Sequence, residues 1–190
     1  MNAIKIIPGT VLDISKTGGV MGEDFLNNIF YISDGIMLSY IREITGIDGT
    51  TLQNWVKRGF VSSPVKRMYS KNQFSRIVII NMLRQSLQLD KICSLIGFIN
   101  GSLADESDDL IEDSPLYHLY VDMVAGMGGI VSDYGVISAA AKKAAEGYAE
   151  PVAGAKARLV RVLEIMAYAH YSAIAKNSAE RLIREIEQNT

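Results

Sequence analysis

The chain has 190 residues, of which 48 % are apolar and 21 % charged, with only 4 prolines. This composition is typical of a globular protein and excludes a disordered or fibrous one. Cys93 is the only cysteine, which excludes an intrachain disulfide and a zinc site built from several thiolates. We expect it to be a buried, inert thiol in a reducing cytoplasm. No apolar stretch has the length needed to span a membrane, so we expect no membrane partner.

The formal net charge of −2 is distributed unevenly along the chain. Residues 39–91 contain nine lysines and arginines and three acidic residues, a net charge of +6, which leaves −8 on the rest. A local basic patch favours contact with phosphates. The alternative is that these charges only keep the surface of a small domain solvated.

Residues 1–36 are predicted to form an N-terminal extension with one helix. Residues 4–9 indicate a short extended segment that ends in a turn at Pro8 and Gly9. Further along, apolar residues recur at helical spacing: Phe25, Leu26, Ile29, Phe30 and Ile32. Asp34 and Gly35 are predicted to end this helix.

Two short helices joined by a tight turn are predicted next. The first covers residues 38–45 and ends at Gly46, a residue typical of helix C-termini. Thr50 is followed three residues later by Gln53, which is a capping-box pattern. The second helix is therefore expected to begin at Thr50 or Thr51.

The second helix has an apolar side and a polar side. Leu52, Trp55 and Val56 are predicted to point inward. The residues left on the outside are polar or basic: Thr51, Gln53, Asn54, Lys57 and Arg58. Side-chain amides matter here because they can form two hydrogen bonds with an adenine edge. Residues 64–69 then form a basic wing closed by an aromatic residue, so the whole order is that of a helix-turn-helix built to reach a DNA groove.

A distinctive set of residues accompanies this order: Ile44-Thr45-Gly46, Thr51-Leu52, Trp55, Gly59, Pro64, Arg67 and Tyr69. With them, residues 38–98 resemble the winged helix-turn-helix of the MerR family of transcription regulators. The run T-L-Q-N-W-V-K at residues 51–57 is also similar to the T-x-x-N-Y/W-V-K core of a group of MerR-like bacterial proteins common in Firmicutes. The resemblance implies duplex DNA binding, with supporting helices in residues 74–87 and 90–98.

The sequence departs from the MerR pattern in several places. Gln53 stands where arginine is common in that family, and the wing is shorter than in many members. The long helix expected directly after the DNA-binding domain is replaced by an acidic loop. The metal-binding cysteines of some members are missing. The resemblance therefore implies the architecture and leaves the effector open.

The second half of the chain is predicted to be an acidic linker followed by a helical domain. The linker covers residues 101–114 and carries six acids: Asp105, Glu106, Asp108, Asp109, Glu112 and Asp113. The helical domain covers residues 115–190, and its longest helix runs over residues 155–188. That helix has an apolar seam: Leu159, Leu163, Met166, Ala169 and Ala173. The seam fits the core of one chain and a dimer interface equally well.

The sequence contains only weak signs of a catalytic site. His118 and His170 are the only histidines, each beside tyrosines on a helical face. A histidine that is hydrogen-bonded inside a core or an interface is the usual case for such a position. No partner residues stand at the spacing of a metal site. We therefore expect no enzymatic activity, no metal and no cofactor.

The sequence thus predicts an all-α protein, with a MerR-like winged helix-turn-helix at residues 37–100 and a C-terminal helical bundle. The predicted function is sequence-specific binding of double-stranded DNA in transcriptional regulation. The predicted contact residues are Thr50, Thr51, Gln53, Asn54, Lys57, Arg58, Lys66, Arg67 and Tyr69. The alternative is a protein-interaction module built on a helix-turn-helix scaffold.

One helix-turn-helix touches few base pairs, and a single module buries little surface on DNA. The chain contains one such unit and no repeat. We therefore expect a homodimer joined through the C-terminal helices, because twofold pairing is the commonest association of identical chains.

Overall fold

The computed structural model describes residues 5–101, 108–129 and 131–188. Within these residues the chain is mostly helical, as predicted, with eight α-helices, one 3-10 helix and two paired two-residue strands. The helices are α1 (Gly22–Ile29), α2 (Leu38–Thr45), α3 (Gly49–Lys57), α4 (Lys71–Leu83), α5 (Leu89–Asn100), α6 (Asp113–Gly126), α7 (Tyr134–Ala144) and α8 (Ala155–Gln188). The 3-10 helix is Ile14–Thr17, and the strands are β1 (Ile36–Met37) and β2 (Met68–Tyr69). None of the described helices combines the length and apolar character needed to cross a bilayer.

Helix α4 is the centre of the fold. Residues 74–83 are all buried, and the helix packs against α2, α5, α6 and α8. A helix with neighbours on all sides needs apolar residues all round, which the run I-V-I-I-N-M-L supplies. A capping box fixes its start: the Gln73 N–H donates to Ser70 Oγ at 3.2 Å, and the Ser70 N–H donates to Gln73 Oε1 at 2.9 Å.

A buried ion pair joins α4 to α6. Arg76 Nε lies 2.6 Å from Asp113 Oδ2, and both side chains are about nine-tenths buried. Asn100, the last residue of α5, donates from Nδ2 to the other oxygen of the same carboxylate at 3.3 Å. A buried carboxylate is tolerated only when it is paired and hydrogen-bonded, so Asp113 ties three helices together.

The predicted acidic linker lies partly outside the described residues, since 102–107 are not among them. At its other end, Asp113 and Ser114 form the first turn of α6 and are buried rather than solvated. Glu112 precedes this helix and accepts a hydrogen bond from Asn72 Nδ2 at 2.7 Å. The acids at this end of the segment therefore contact α4 because α4 offers them a guanidinium and an amide.

Residues 5–13, called the strap below, cross the outside of α4 and α6. Ile7 is fully buried, and the Tyr117 hydroxyl of α6 donates to the Pro8 carbonyl at 2.7 Å. The predicted turn at Pro8 and Gly9 is confirmed. Gly9 has a φ of 78° and lies so close to the backbone of Val78 in α4 that a Cβ would not fit. Only glycine meets both conditions without strain.

Helix α1 ends at Ile29, earlier than the end predicted at residues 34–35. Phe30 caps the helix and packs on Phe74 of α4, with ring centroids 6.0 Å apart. Ile32, predicted to lie on the apolar face, is 95 % exposed. The helical spacing was misleading here because the chain has to become extended before it enters β1.

Helix α8 confirms the prediction over its whole length, but its two halves have different surroundings. The first half packs against α4, α5, α6 and α7. The seam predicted for core or dimer is buried inside the chain itself: Leu159, Leu163, Met166, Ala169 and Ala173. Residues 175–188 are all exposed. The predicted seam therefore belongs to the core, and the second half of the helix extends beyond it.

The two histidines differ in their surroundings. His170 is buried, its Nδ1 lies 2.8 Å from the Tyr120 hydroxyl, and burial lowers its pKa to about 4. It is the hydrogen-bonded core histidine that was expected. His118 is half-buried, and its Nδ1 has no hydrogen-bond partner within the described residues. An interface position, the other form of the expectation, stays a prediction for His118.

The ion pair of α4 and α6 leads to a stability prediction. Arg76→Met should lower the free energy of unfolding by about 3–5 kcal/mol, because it removes the guanidinium that offsets the charge of the buried Asp113 carboxylate. Urea unfolding followed by circular dichroism measures this change. Replacing both residues, as Arg76→Met with Asp113→Asn, should recover most of the loss.

The matched control is Arg181→Met, which breaks an exposed pair with Glu185 in α8. It should change the free energy of unfolding by less than about 1 kcal/mol. A double variant no more stable than the single Arg76→Met variant would contradict the assignment.

Candidate nucleic-acid interface

Helices α2 and α3 are joined by the three residues 46–48. Gly46 ends α2 as predicted: its φ is 69°, and its N–H donates to the Arg42 carbonyl at 2.8 Å. Ile47 is buried in the turn. Helix α2 packs on both α3 and α4, so the short turn places α3 at the surface with α2 behind it.

Helix α3 begins earlier than predicted. Its first residue is Gly49, and its N-cap is Asp48, whose Oδ1 accepts the Thr51 N–H at 2.8 Å. Hydrogen bonds from Thr51 also lower the pKa of Asp48. Aspartate is among the strongest N-cap residues, which explains why the predicted capping box of Thr50 and Gln53 is not used. Thr51, a predicted DNA contact, is half-buried and engaged in this cap.

The predicted faces of α3 are largely confirmed. Leu52 and Trp55 are buried, while Val56 is only partly so. The exposed residues on the other face are Thr50, Gln53, Asn54 and Lys57. Within the described residues, the side-chain amides of Gln53 and Asn54 take part in no hydrogen bond. The donors and acceptors of Gln53 and Asn54 are therefore available to a ligand.

Arg58 follows α3 and has partners of its own. Its Nη2 lies 3.6 Å from Asp90 Oδ1, and its guanidinium sits 4.5 Å from the centre of the Phe60 ring. Both contacts are at the surface, where each has a modest energy. The structure thus places this predicted contact residue beside α5 while leaving it more than half exposed.

Residues 65–68, called the basic hairpin below, lie where the sequence predicted a basic wing. Val65 and Met68 exchange backbone hydrogen bonds of 3.1 and 2.8 Å, with Lys66 and Arg67 at the tip. The antiparallel pair of β1 and β2 continues the hairpin, with Met37 opposite Met68.

The N-terminus of α4 anchors the approach to the basic hairpin. Gln73 Nε2 donates to the Ser62 and Ser63 carbonyls at 3.1 and 3.0 Å. The capping glutamine of α4 therefore also fixes the segment that leads into the hairpin.

The tip of the basic hairpin is strained. Lys66 and Arg67 have φ values of 49° and 66°, in the left-handed region. Two-residue hairpins with two positive φ values normally use Asn and Gly, since other residues there cost about 1–3 kcal/mol each. Both side chains are exposed. Folding alone does not account for two cationic residues at this tip.

One predicted contact residue, Tyr69, and one member of the basic patch, Arg76, are buried and have structural roles instead. Tyr69 is only 4 % exposed, stands opposite Ile36 in the strand pair, and has a pKa raised by burial. Its side chain packs beneath the hairpin and leaves little surface for a DNA contact, which corrects its predicted role. Arg76 is neutralised by Asp113, so the basic patch of residues 39–91 has a net charge of +5 without it.

A groove of about 500 Å³ separates α3 from the basic hairpin. Gln53 lines it from α3 and Arg67 from the hairpin, so these two predicted contact residues border the same groove. The other lining residues are mostly apolar: Met37, Leu38, Ser39, Val56, Pro64 and Tyr69.

Sequence reasoning missed Met37, which is 59 % exposed at the edge of this groove. The available signal was the alternation of a strand, because neighbouring strand residues point to opposite sides. Ile36 is buried and Met37 is exposed.

Comparison with known proteins identifies a family but no characterised relative. The model of the family described as "Domain of unknown function (DUF1836)" matches residues 25–124, more than half of the chain, and the chain belongs to this family. The match begins within α1 and ends within α6, so it includes α2, α3 and the basic hairpin. No curated protein and no solved structure matches the chain.

The strain at the tip predicts that residues other than Lys66 and Arg67 would make the folded protein more stable. Replacing Lys66 by Asn and Arg67 by Gly should raise the free energy of unfolding by about 1 kcal/mol or more, because both new residues tolerate positive φ. Chemical unfolding measures the change. The control Lys57→Asn removes a cation from a helical position and should not stabilise the protein. No gain from the hairpin variants would show that the tip carries no strain.

Proposed function

We propose that this member of the DUF1836 family binds double-stranded DNA in a sequence-specific manner and regulates transcription. One observation carries the proposal: the amide of Gln53, which has no hydrogen bond within the described residues, and the strained cation Arg67 border the same groove. The first group can recognise bases, and the second can hold phosphates.

Helix α3 is the proposed recognition helix. Gln53, Asn54 and Lys57 lie on one exposed face within two turns. An α-helix fits the major groove of B-DNA, where glutamine and asparagine pair with adenine and lysine pairs with guanine. Thr50 lies on the same face, one turn before Asn54, and is exposed. This face therefore offers side chains for a few successive base pairs.

The basic hairpin is the proposed phosphate contact. Lys66 and Arg67 project from a rigid turn beside the groove, and such side chains position a protein on duplex DNA without reading its sequence. The strain at this tip supports a functional role, since strained backbone persists at sites where function requires it.

The interpretation of α2, α3 and the basic hairpin as a MerR-like winged helix-turn-helix is part of this proposal. The three-residue turn at 46–48 and the hairpin after α3 support it. Residues that carry the resemblance, such as Ile44, Trp55 and Tyr69, are buried. They account for the scaffold, whereas the specificity depends on the exposed positions between them.

A second candidate function is a protein-interaction module on the same scaffold. The observation that favours it is the mostly apolar lining of the groove, which includes exposed Met37, together with exposed Val65 in the basic hairpin. Exposed apolar patches often mark protein interfaces. The DNA-binding experiment separates the two candidates.

The DNA-binding proposal predicts two kinds of variant. Gln53→Ala and Asn54→Ala should each cost about 1–3 kcal/mol on a preferred duplex and much less on random DNA, because they remove base contacts. Lys66→Ala and Arg67→Ala should weaken binding to all duplexes alike. Each should reduce the slope of log K against log salt by about 0.9, the loss of one phosphate contact. Fluorescence anisotropy with a selected and a random duplex measures both effects.

The control for these variants is Lys142→Ala, an equal loss of charge on α7, far along the chain from α3. It should leave both affinities unchanged. Binding that does not respond to salt, or four variants with equal effects on both duplexes, would reject α3 as the recognition helix. A complete lack of duplex binding would favour the interaction module.

We further propose that the chain forms a homodimer through α8. A second series of residues follows the exposed side of this helix at alternating steps of three and four, the spacing of a coiled-coil seam: Ile165, Tyr168, Ser172, Ala175, Ala179, Leu182 and Ile186. All seven are exposed, and Leu182 and Ile186 are 53 % and 68 % exposed. Six of them are apolar or aromatic, which is unusual for the outer face of a helix.

The charges of the projecting half of α8 suit a second copy of the same chain. Residues 175–188 contain three basic and three acidic side chains, so two copies meet without net repulsion. A helix of 34 residues is about 51 Å long, so the exposed side of the projecting half offers a long surface to a second copy. The dimer would place two recognition helices on one duplex.

The dimer is tested with variants of the projecting half, because the first half of α8 belongs to the core. Leu182→Glu combined with Ile186→Glu should convert the dimer to a monomer, since four carboxylates would meet at the seam. Light scattering at micromolar concentration should give twice the chain mass before the change and the chain mass after it. The control Asn177→Glu combined with Gln188→Glu adds the same charge off the seam and should remain dimeric. A wild-type monomer would rule out the assembly.

A further inference from the structure

A second groove, of about 730 Å³, lies between the strap, the end of α4 and the middle of α8. It is formed by different elements from those of the proposed DNA surface. The strap is held in place by Tyr117 and by Asn81, whose amide donates to the Gly9 carbonyl at 2.9 Å. The groove therefore has one wall of fixed backbone and one wall of helix.

Part of the lining of this groove is apolar, beside polar side chains such as Thr10, Asn81 and His170. The apolar lining residues come from all three elements: Ile6, Ile7, Pro8, Val11, Met82, Ala173 and Ile174. Ile6 and Val11 are among the exposed apolar residues of the strap. Burying such surface in a ligand complex is favourable, because apolar area is removed from water.

The rim of the groove is basic and polar. Lys5 stands on the strap side, and Arg181 and Arg184 stand on α8. Gln85 and Asn177 add two side-chain amides. None of the described lining residues is a carboxylate. The rim thus carries more positive than negative charge and attracts anions.

The two arginines are not equivalent. Arg181 Nη1 lies 2.7 Å from Glu185 on the same helix, so part of its charge is offset. Arg184 and Lys5 take part in no ion pair within the described residues. Asn177, Arg181 and Arg184 follow at steps of four and three, so they share one face of α8. This face differs from the proposed dimer seam and remains available in a dimer.

We infer that this groove binds a small organic carboxylate with an apolar body. The carboxylate is held by Lys5 and Arg184, and the body lies on the apolar lining. The volume is within the range of sites for small molecules, about 300–1,000 Å³. A bare inorganic anion would leave the apolar lining in water, and a neutral molecule would leave the cations unpaired. This inference does not depend on DNA binding.

The test uses the full chain and three probes of matched length. Isothermal titration calorimetry with sodium octanoate should show saturable binding of one molecule per chain. Octan-1-ol and octylammonium have the same apolar body, and they should bind at least about tenfold more weakly, as expected for loss of a charge-assisted hydrogen bond. Inorganic phosphate should not bind at all.

Variants then locate the site. Arg184→Gln and Lys5→Gln should each weaken octanoate binding by about tenfold. The matched control Lys176→Gln removes the same charge from another face of α8 and should leave the affinity unchanged. Ile6→Glu places a carboxylate at the apolar lining and should abolish binding, while the thermal unfolding midpoint shows that the variant is folded.

Three results would overturn the inference. The first is the absence of saturable octanoate binding, and the second is equal affinity for octan-1-ol. The third is an equal loss of affinity in the Lys176→Gln control. Duplex binding is measured separately on the same proteins, so a failure of this site leaves the proposed function standing, and the reverse also holds.

Discussion

The buried ion pair of Arg76 and Asp113 determines how the parts of the molecule are arranged. A guanidinium and a carboxylate with little access to water tolerate few geometries, because each loses its hydration and must be paired. The pair fixes α6 against α4, and Asn100 brings the end of α5 to the same point. The polar residues of α4 extend this arrangement outward: Gln73 binds the segment before the basic hairpin, and Asn81 binds the Thr45 carbonyl at the end of α2 and the strap. The proposed recognition surface is thus built on one helix with polar contacts at both ends.

The division between scaffold and surface is sharp around α3. The buried residues of α2, α3 and the strand pair, such as Trp55 and Tyr69, account for the shape of this region. The amides of Gln53 and Asn54 are exposed and have no hydrogen-bond partner within the described residues. The tip of the basic hairpin is not occupied by the residues that would stabilise it most, because it carries two cations where Asn and Gly fit the backbone better. Local conflict of this kind is expected where a residue is retained for function rather than for folding.

Local signals in the sequence predicted the bounds of the helices better than they predicted tertiary contacts. The limits of α2 followed from apolar spacing and from Gly46, and those of α8 from a long periodic pattern, since both signals act within a few residues. The roles of Arg76 and Tyr69 depend on partners elsewhere in the fold, 37 residues away for Asp113, and no local pattern records such partners. Arg76 was therefore counted in the charge of the basic patch although it lies in the core. The predicted cap of α3 was wrong for a local reason, because Asp48 and Thr50 are both good N-cap residues and the stronger one is used.

Helix α8 lies outside the matched family segment and contributes to two surfaces. One face of its projecting half carries the proposed dimer seam, and another forms the basic wall of the groove beside the strap. The strap is bound to α4, and α4 supports α2. The groove therefore lies between α8, which carries the proposed dimer seam, and the support of α2 and α3, which form the proposed DNA-binding unit. A ligand that contacts both walls would favour one position of α8 relative to α4. If the spacing of two recognition helices depends on that position, ligand and DNA must influence each other's affinity by the same factor, because coupling between two binding sites is reciprocal.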